Sequence, residues 1–277
     1  MCNNRIKIIE TERGLDLLYQ HRNNFRYLIF PEDRTLDRKQ KDCCRRWYAI
    51  LAVIILIFFN TSVTKADSTQ NVFGSWNSLM LTGDLGVLSP DLKNFHWLLM
   101  DQVRTRDDST NGTRYSENLL WAQLGYSINR YTSIWLGYTH DWIVPLNKSS
   151  FQENRPYQDL LINIPLAEGN LMSRTRFEQR INQSTGIRLR EWLQYSYPLT
   201  FVSNQLKFYI GDEVLFYLNK SSFGNGGFTE NRILAGFNYD FNTHWGVDLG
   251  YLGQYISIRS RRDLFSHNLM ANIRYRF

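Results

Sequence analysis

From Asp67 onward the sequence repeats one pattern. Apolar and polar residues alternate in segments of about 10 to 13, broken by turn-rich stretches, with no long helical period between them. The last ten residues, NLMANIRYRF, show it most cleanly: Leu269, Ala271, Ile273, Tyr275 and Phe277 fall on one side of an extended strand, and Asn268, Met270, Asn272, Arg274 and Arg276 on the other. A strand with one greasy face and a free edge aggregates in water. The pattern therefore demands closure of the edge and a medium or layer to cover the apolar face.

Further segments repeat the alternation. Leu171, Ser173, Thr175, Phe177 and Ile181 oppose Met172, Arg174, Arg176, Glu178 and Arg180, and Ile187, Leu189, Leu193, Tyr195 and Tyr197 oppose Arg188, Arg190, Trp192 and Gln194. Leu206, Phe208, Ile210, Val214 and Phe216 oppose Lys207, Tyr209, Glu213 and Tyr217. Two more follow, with apolar sets at Ile233 to Phe241 and Trp245 to Tyr251, and fainter ones lie near 72–82, 95–106, 115–128, 132–144 and 155–166. Glu191 and Asp212 sit on the apolar side and are expected to mark a β-bulge or a strand end near lipid headgroups. Repeated segments of this length are the signature of an antiparallel transmembrane β-barrel. Eleven are legible. Because single-chain bacterial barrels have an even number of strands with both ends on one side, the expectation is about 12, with 10 as the fallback. Working back from the C-terminus, the breaks near 129–132, 167–170, 199–204 and 242–244 are expected to be short periplasmic turns, and the others longer external loops.

Before the barrel, basic Lys41, Arg45 and Arg46 precede an apolar run from Trp47 to Phe59 and a polar stretch ending at Ala66. Thirteen residues are short for a spanning helix, which needs roughly 20. The run fits the core of a secretory signal cleaved after Ala66, with an uncleaved anchor as the competing reading. The expected division is residues 1–66, an N-terminal extension plus signal peptide, and residues 67–277, the barrel domain. Residues 1–66 hold 12 Lys and Arg against 7 Asp and Glu, which leaves 20 against 19 for the remainder. A nearly neutral mature chain excludes a basic nucleic-acid footprint. Cys2, Cys43 and Cys44 all precede the barrel, so no disulfide or thiolate metal site is expected within it.

The blocks SRTRFEQR, RLREWLQYSYPL, YIGDEVLFYLN, ENRILAGFNYDFN and VDLGYLGQYI resemble those of an uncharacterised bacterial outer-membrane family, the domain of unknown function 2490. The resemblance covers about residues 72–277 and is strongest from 171 onward. It implies a 10–12-stranded outer-membrane barrel and supplies no activity. The ending with Tyr275 and Phe277 also resembles the C-terminal signal by which the barrel-assembly machinery recognises its clients.

The chemistry-bearing residues are mostly charged. Hairpin arithmetic about the 182–186 and 199–204 turns places Arg190 opposite both Glu178 and Glu213, with Arg174, Arg176, Arg180, Arg188 and Arg232 around them. Opposite charges across a sheet knit a narrow barrel shut, contributing roughly 0.2–1 kcal/mol per pair; the functional alternative is an arginine-lined constriction preferring small anionic solutes. His140 lacks a neighbouring Ser, and adjacent Ser266 and His267 project to opposite faces of a strand. Trp76, Trp97, Trp135, Trp142 and Trp245 are candidates for interfacial girdles or for packing within the sheet. No metal or cofactor is expected. The leading reading is a monomeric outer-membrane barrel in contact with lipid, with a structural or narrow, porin-like channel role. The alternatives are an outer-membrane lipid-modifying enzyme and a soluble periplasmic β-barrel that binds an apolar ligand.

Overall fold

The computed structural model describes residues 6–11, 14–21, 24–28, 69–258 and 262–277. The chain divides into two compact units, Met1–Lys65 and Ala66–Phe277. In the first, β1 (Ile6–Thr11), β2 (Gly14–His21) and β3 (Asn24–Leu28) form a three-stranded antiparallel meander. The apolar run 47–59 and the expected cleavage point after Ala66 lie outside the described residues.

The second unit is a closed barrel of eleven strands: β4 (Gln70–Asp84), β5 (Phe95–Ser109), β6 (Gly112–Ser127), β7 (Thr132–Ile143), β8 (Phe151–Leu166), β9 (Gly169–Ile181), β10 (Thr185–Pro198), β11 (Leu206–Tyr217), β12 (Gly227–Asp240), β13 (Trp245–Ile256) and β14 (Leu264–Arg276). Each of the eleven alternating segments corresponds to one strand. The expected count of 12, or 10, and the all-antiparallel pairing are corrected. With eleven strands that run alternately up and down, the first and last point the same way, so β14 and β4 pair in parallel, from Leu264 beside Gln70 to Arg276 beside Thr82. The Phe277 amide extends the seam by donating to the Thr82 carbonyl at 2.9 Å. Odd-stranded barrels closed in this way are known from mitochondria. The chain accordingly enters the barrel at one rim, called upper here, and leaves at the other.

The expected contrast of short turns and long loops fails at three places, one of them the three-residue upper turn 182–184. At the upper rim β5 and β6 run on to a tight hairpin at Thr110 and Asn111, closed by Gly112 at φ 88°, a left-handed conformation that suits glycine. At the lower rim β4 and β5 are joined by residues 85–94, which carry two 3-10 turns, Leu85–Val87 and Pro90–Leu92.

The barrel is inside-out relative to a water-soluble fold. Leu136 is 63% exposed, Leu269 62% and Phe277 65%, all on the outer wall, while Arg176 at 1% and Glu178 at 0% are buried inside. Monomeric soluble proteins rarely expose apolar surface this continuously. Among the described residues no helix is long and apolar enough to cross a membrane; the strands are a separate matter.

The seam is directly testable. Ser78 and Asn272 stand side by side across it, with a 2.7 Å hydrogen bond between their side chains. In a background lacking Cys2, Cys43 and Cys44, the Ser78→Cys, Asn272→Cys pair should oxidise to a disulfide, seen as an altered mobility on a non-reducing gel. The Asn77→Cys, Asn272→Cys pair, on opposite faces, should not. A barrel of ten or twelve strands would fail to cross-link the first pair.

Candidate functional site

The interior follows from strand parity. Even-numbered residues of β9, β10 and β12 and odd-numbered residues of β7, β8 and β11 point inward, and at mid-height these positions are largely Arg, Asp and Glu. Glu213 is the hub. Its Oε1 accepts from Arg174 at 2.9 Å and from Arg190 at 2.7 and 3.0 Å, and its Oε2 accepts from Arg232 at 2.9 Å. Arg190 also donates to Glu178 at 3.0 Å, and Arg188 reaches the other oxygen of Glu178. Arg176 is held bidentately by Asp159, both bonds 2.7 Å. Arg180 donates to Glu153 at 2.7 Å, Arg155 to Glu153 at 2.5 Å and to Asp141, and Arg232 to Glu230 at 2.5 Å. Arg104 pairs with Glu117 at 2.7 Å. Eight arginines thus face seven acids in a belt that runs along the inner wall from β5 to β12.

All eight residues of the charge network expected from sequence lie in this belt, but the register differs. Arg190 sits opposite Arg176 and Leu215, while Glu178 faces Arg188 and Glu213 faces Trp192. Both hairpins are offset by two residues from the expected pairing because each turn closes at a different residue from the one assumed. The Glu178–Arg190–Glu213 chain survives because the long guanidinium side chain reaches its diagonal neighbours. The sequence reading missed Arg104, Glu117, Asp141, Glu153, Arg155, Asp159 and Glu230. Parity in the fainter early segments was the available signal: Glu153, Arg155 and Asp159 alternate with outward residues such as Leu160.

Aromatic rings pack on the belt. The Arg104 guanidinium lies 3.5 Å from the Trp76 ring centre and that of Arg176 lies 3.7 Å from Tyr157. Tyr157 fits because it lies over Gly137, where a Cβ would come within 2.2 Å of its ring. Trp76 and Trp135 therefore belong inside and not to a girdle; Trp135 donates to Ser133 at 2.9 Å. Trp245 does sit on the outer wall at the lower rim, stacked edge-on with Tyr275 at 4.7 Å, and Tyr275 meets Phe277 at 4.8 Å. Glu191 and Asp212 mark neither a bulge nor a strand end. They lie mid-strand in regular register, and Ser173 and Thr175 donate to Glu191 at 2.7 and 2.6 Å while Asn231 donates to Asp212 at 2.6 Å.

The belt separates two cavities. The upper, about 610 Å³, is bounded by Arg106, Arg180, Tyr217 and Phe223 among others; the lower, about 320 Å³, by Met100, Trp121, Trp192 and Leu234 among others. Trp76, Arg104 and Arg232 line both and form the partition.

Ser266 and His267 fall on opposite faces, as the alternation implies. His267 faces outward and meets the Tyr251 hydroxyl at 2.7 Å, while Ser266 faces inward beside Asn268. His140 faces outward among Tyr138, Asn154 and Gln152. His96, which sequence reasoning passed over, lies inside the lower mouth: its Nδ1 contacts Asp84 and its Nε2 is 2.8 Å from Ser127 Oγ. The three come from β4, β5 and β6, aligned by strand pairing alone. Among the described residues no group of His, Cys, Asp or Glu has the arrangement of a metal site.

A family described as a protein of unknown function (DUF2490) matches residues 73–265. No curated protein and no solved structure matches the chain.

Buried charges that lose a partner are costly. Glu213→Gln should destabilise the barrel by about 3–5 kcal/mol, whereas Lys207→Ala, which breaks the exposed pair with Asp240, should cost about 1 kcal/mol or less. Urea titration followed by the gel shift between folded and unfolded forms measures both; similar midpoints would contradict the account of the belt.

Proposed function

We propose, from the premise that the chain belongs to the DUF2490 family, whose description assigns no activity, that it is an exported outer-membrane β-barrel, monomeric, with a structural role and a lumen shut at mid-height. The observation that carries this reading is the inverted distribution of side chains: exposed aliphatic and aromatic residues cover the wall, and the charges are paired within. Lipid covers such a wall without a second protein layer, and closure leaves no backbone group unpaired in hydrocarbon. Closure of the lumen is favoured over a water-filled porin because the belt residues are almost wholly buried, whereas a conducting constriction keeps its charges wet. Tyr275 and Phe277 then serve as the signal for the barrel-assembly machinery.

Planar-bilayer recording is the test. The purified barrel should give no stable current steps. Ohmic steps altered by Arg190→Ala would instead establish the narrow, anion-preferring channel.

A second reading, a lipid-modifying or other ester hydrolase, is favoured by one observation, the Asp84–His96–Ser127 row. A carboxylate orients Nδ1 and Nε2 faces a hydroxyl, the relation a serine nucleophile requires. On this reading a fluorophosphonate probe labels the barrel at Ser127, and Ser127→Ala abolishes labelling while Ser133→Ala does not. A barrel that remains unlabelled under conditions that saturate a known serine hydrolase rules it out.

A further inference from the structure

The lower cavity has a composition that neither closure of the lumen nor the Ser127 row requires. Its walls are apolar, built from Leu98, Met100, Trp121, Trp192, Leu234 and Leu252. Its inner end is cationic: Arg104, Arg174, Arg176, Arg190 and Arg232 line it, against Glu213 and, near the mouth, Asp248, which is already engaged by Arg274 at 2.7 Å. Asp159, Glu117, Glu178 and Glu230 offset Arg176, Arg104, Arg190 and Arg232 from behind, and across the belt as a whole the arginines exceed the acids by one.

Several donors on the lining residues are unused. Arg174 Nε, Arg176 Nη1, and the indole N–H groups of Trp121 and Trp192 are buried with no hydrogen-bond partner. Arg176 is 1% exposed and Trp121 7%, so bulk solvent does not serve them. Buried N–H groups normally find an acceptor, and each one left without costs stability. Two guanidinium donors on the same face of β9, Arg174 and Arg176, describe an acceptor site for an anion, whereas the Trp192 indole nitrogen lies against Gly211. The indole rings contribute as well. Arg174 lies 4.4 Å from the Trp192 ring centre and Arg176 5.0 Å from that of Trp121, which holds the guanidiniums at the edge of the apolar space.

We infer that the lower chamber binds a single-chain anionic amphiphile with a carboxylate head, of the medium-chain fatty-acid class. The carboxylate enters first, drawn by the belt's one excess positive charge, and accepts charge-assisted hydrogen bonds from Arg174 and Arg176. The alkyl chain trails toward the lower rim and is wrapped by the Met, Leu and Trp walls, which exclude water from it. Neutral or cationic amphiphiles of the same length leave the donors unserved. The inference requires the folded barrel only and holds whether or not the belt conducts.

The test is equilibrium dialysis of radiolabelled decanoate against the full chain in lipid nanodiscs, with uptake by empty nanodiscs subtracted. The expected result is one saturable site per barrel, with decanol and decyltrimethylammonium competing at least tenfold more weakly than unlabelled decanoate. Two variants probe head and tail separately. Arg174→Gln leaves Glu213 paired with Arg190 and Arg232, and Leu98→Trp fills the chamber without touching a charge; each should weaken binding at least tenfold. An unchanged shift between heated and unheated gel samples shows that the variants are folded. No saturable uptake above empty nanodiscs, decanol competing as well as decanoate, or wild-type binding by both folded variants would overturn the inference.

Discussion

Eight guanidiniums inside a narrow cylinder are tolerable only because each meets a carboxylate across the sheet. Moving a bare charge from water into such a space costs several kcal/mol, and its attraction to a partner offsets this only when the geometry is good and the remaining donors and acceptors are satisfied. Glu213 meets that condition most fully, since all four of its bonds come from Arg174, Arg190 and Arg232. The belt therefore depends on the registers of β9 to β12, and those registers depend on the belt. A slip of one residue would turn every charge toward the outer wall.

The same constraint explains the outside. With polar side chains committed to the lumen, the alternation leaves the aliphatic and aromatic ones facing outward, where no protein layer covers them. The exceptions on that wall conform. Glu191 and Asp212 each take hydrogen bonds from hydroxyl or amide groups on adjacent strands, so the wall presents satisfied polar atoms and not bare acids. The aromatic rings of Trp245, Tyr275 and Phe277 gather at the lower rim, where β13 and the seam strand meet.

Much of this was legible in the sequence because a barrel wall imposes a local rule. Each strand must alternate, and so Arg174, Arg176, Arg188, Arg190 and their neighbours declare their faces residue by residue. Direction around the seam has no such local record. Nothing in β4 or β14 says whether its neighbour runs up or down, so eleven alternating segments do not by themselves reveal a parallel seam. Register differs for a related reason, since a turn of 182–184 differs little in composition from one of 182–186, two residues longer. The Asp84–His96–Ser127 row was invisible, because its members lie 12 and 31 residues apart, and each alone is an ordinary polar residue near a strand end.

The central claim is that hydrocarbon wets the outer wall while the inner wall is dry and ion-paired. Nitroxide labels placed singly along β7, from Thr132 to Ile143, test it most directly through collision with oxygen, which concentrates in lipid, and with a nickel chelate, which stays in water. The account predicts that labels at Ile134, Leu136 and Tyr138 favour oxygen, while one at Thr139, buried beside the belt, is shielded from both reagents. Outward labels that collide freely with the nickel chelate in reconstituted membranes would contradict it.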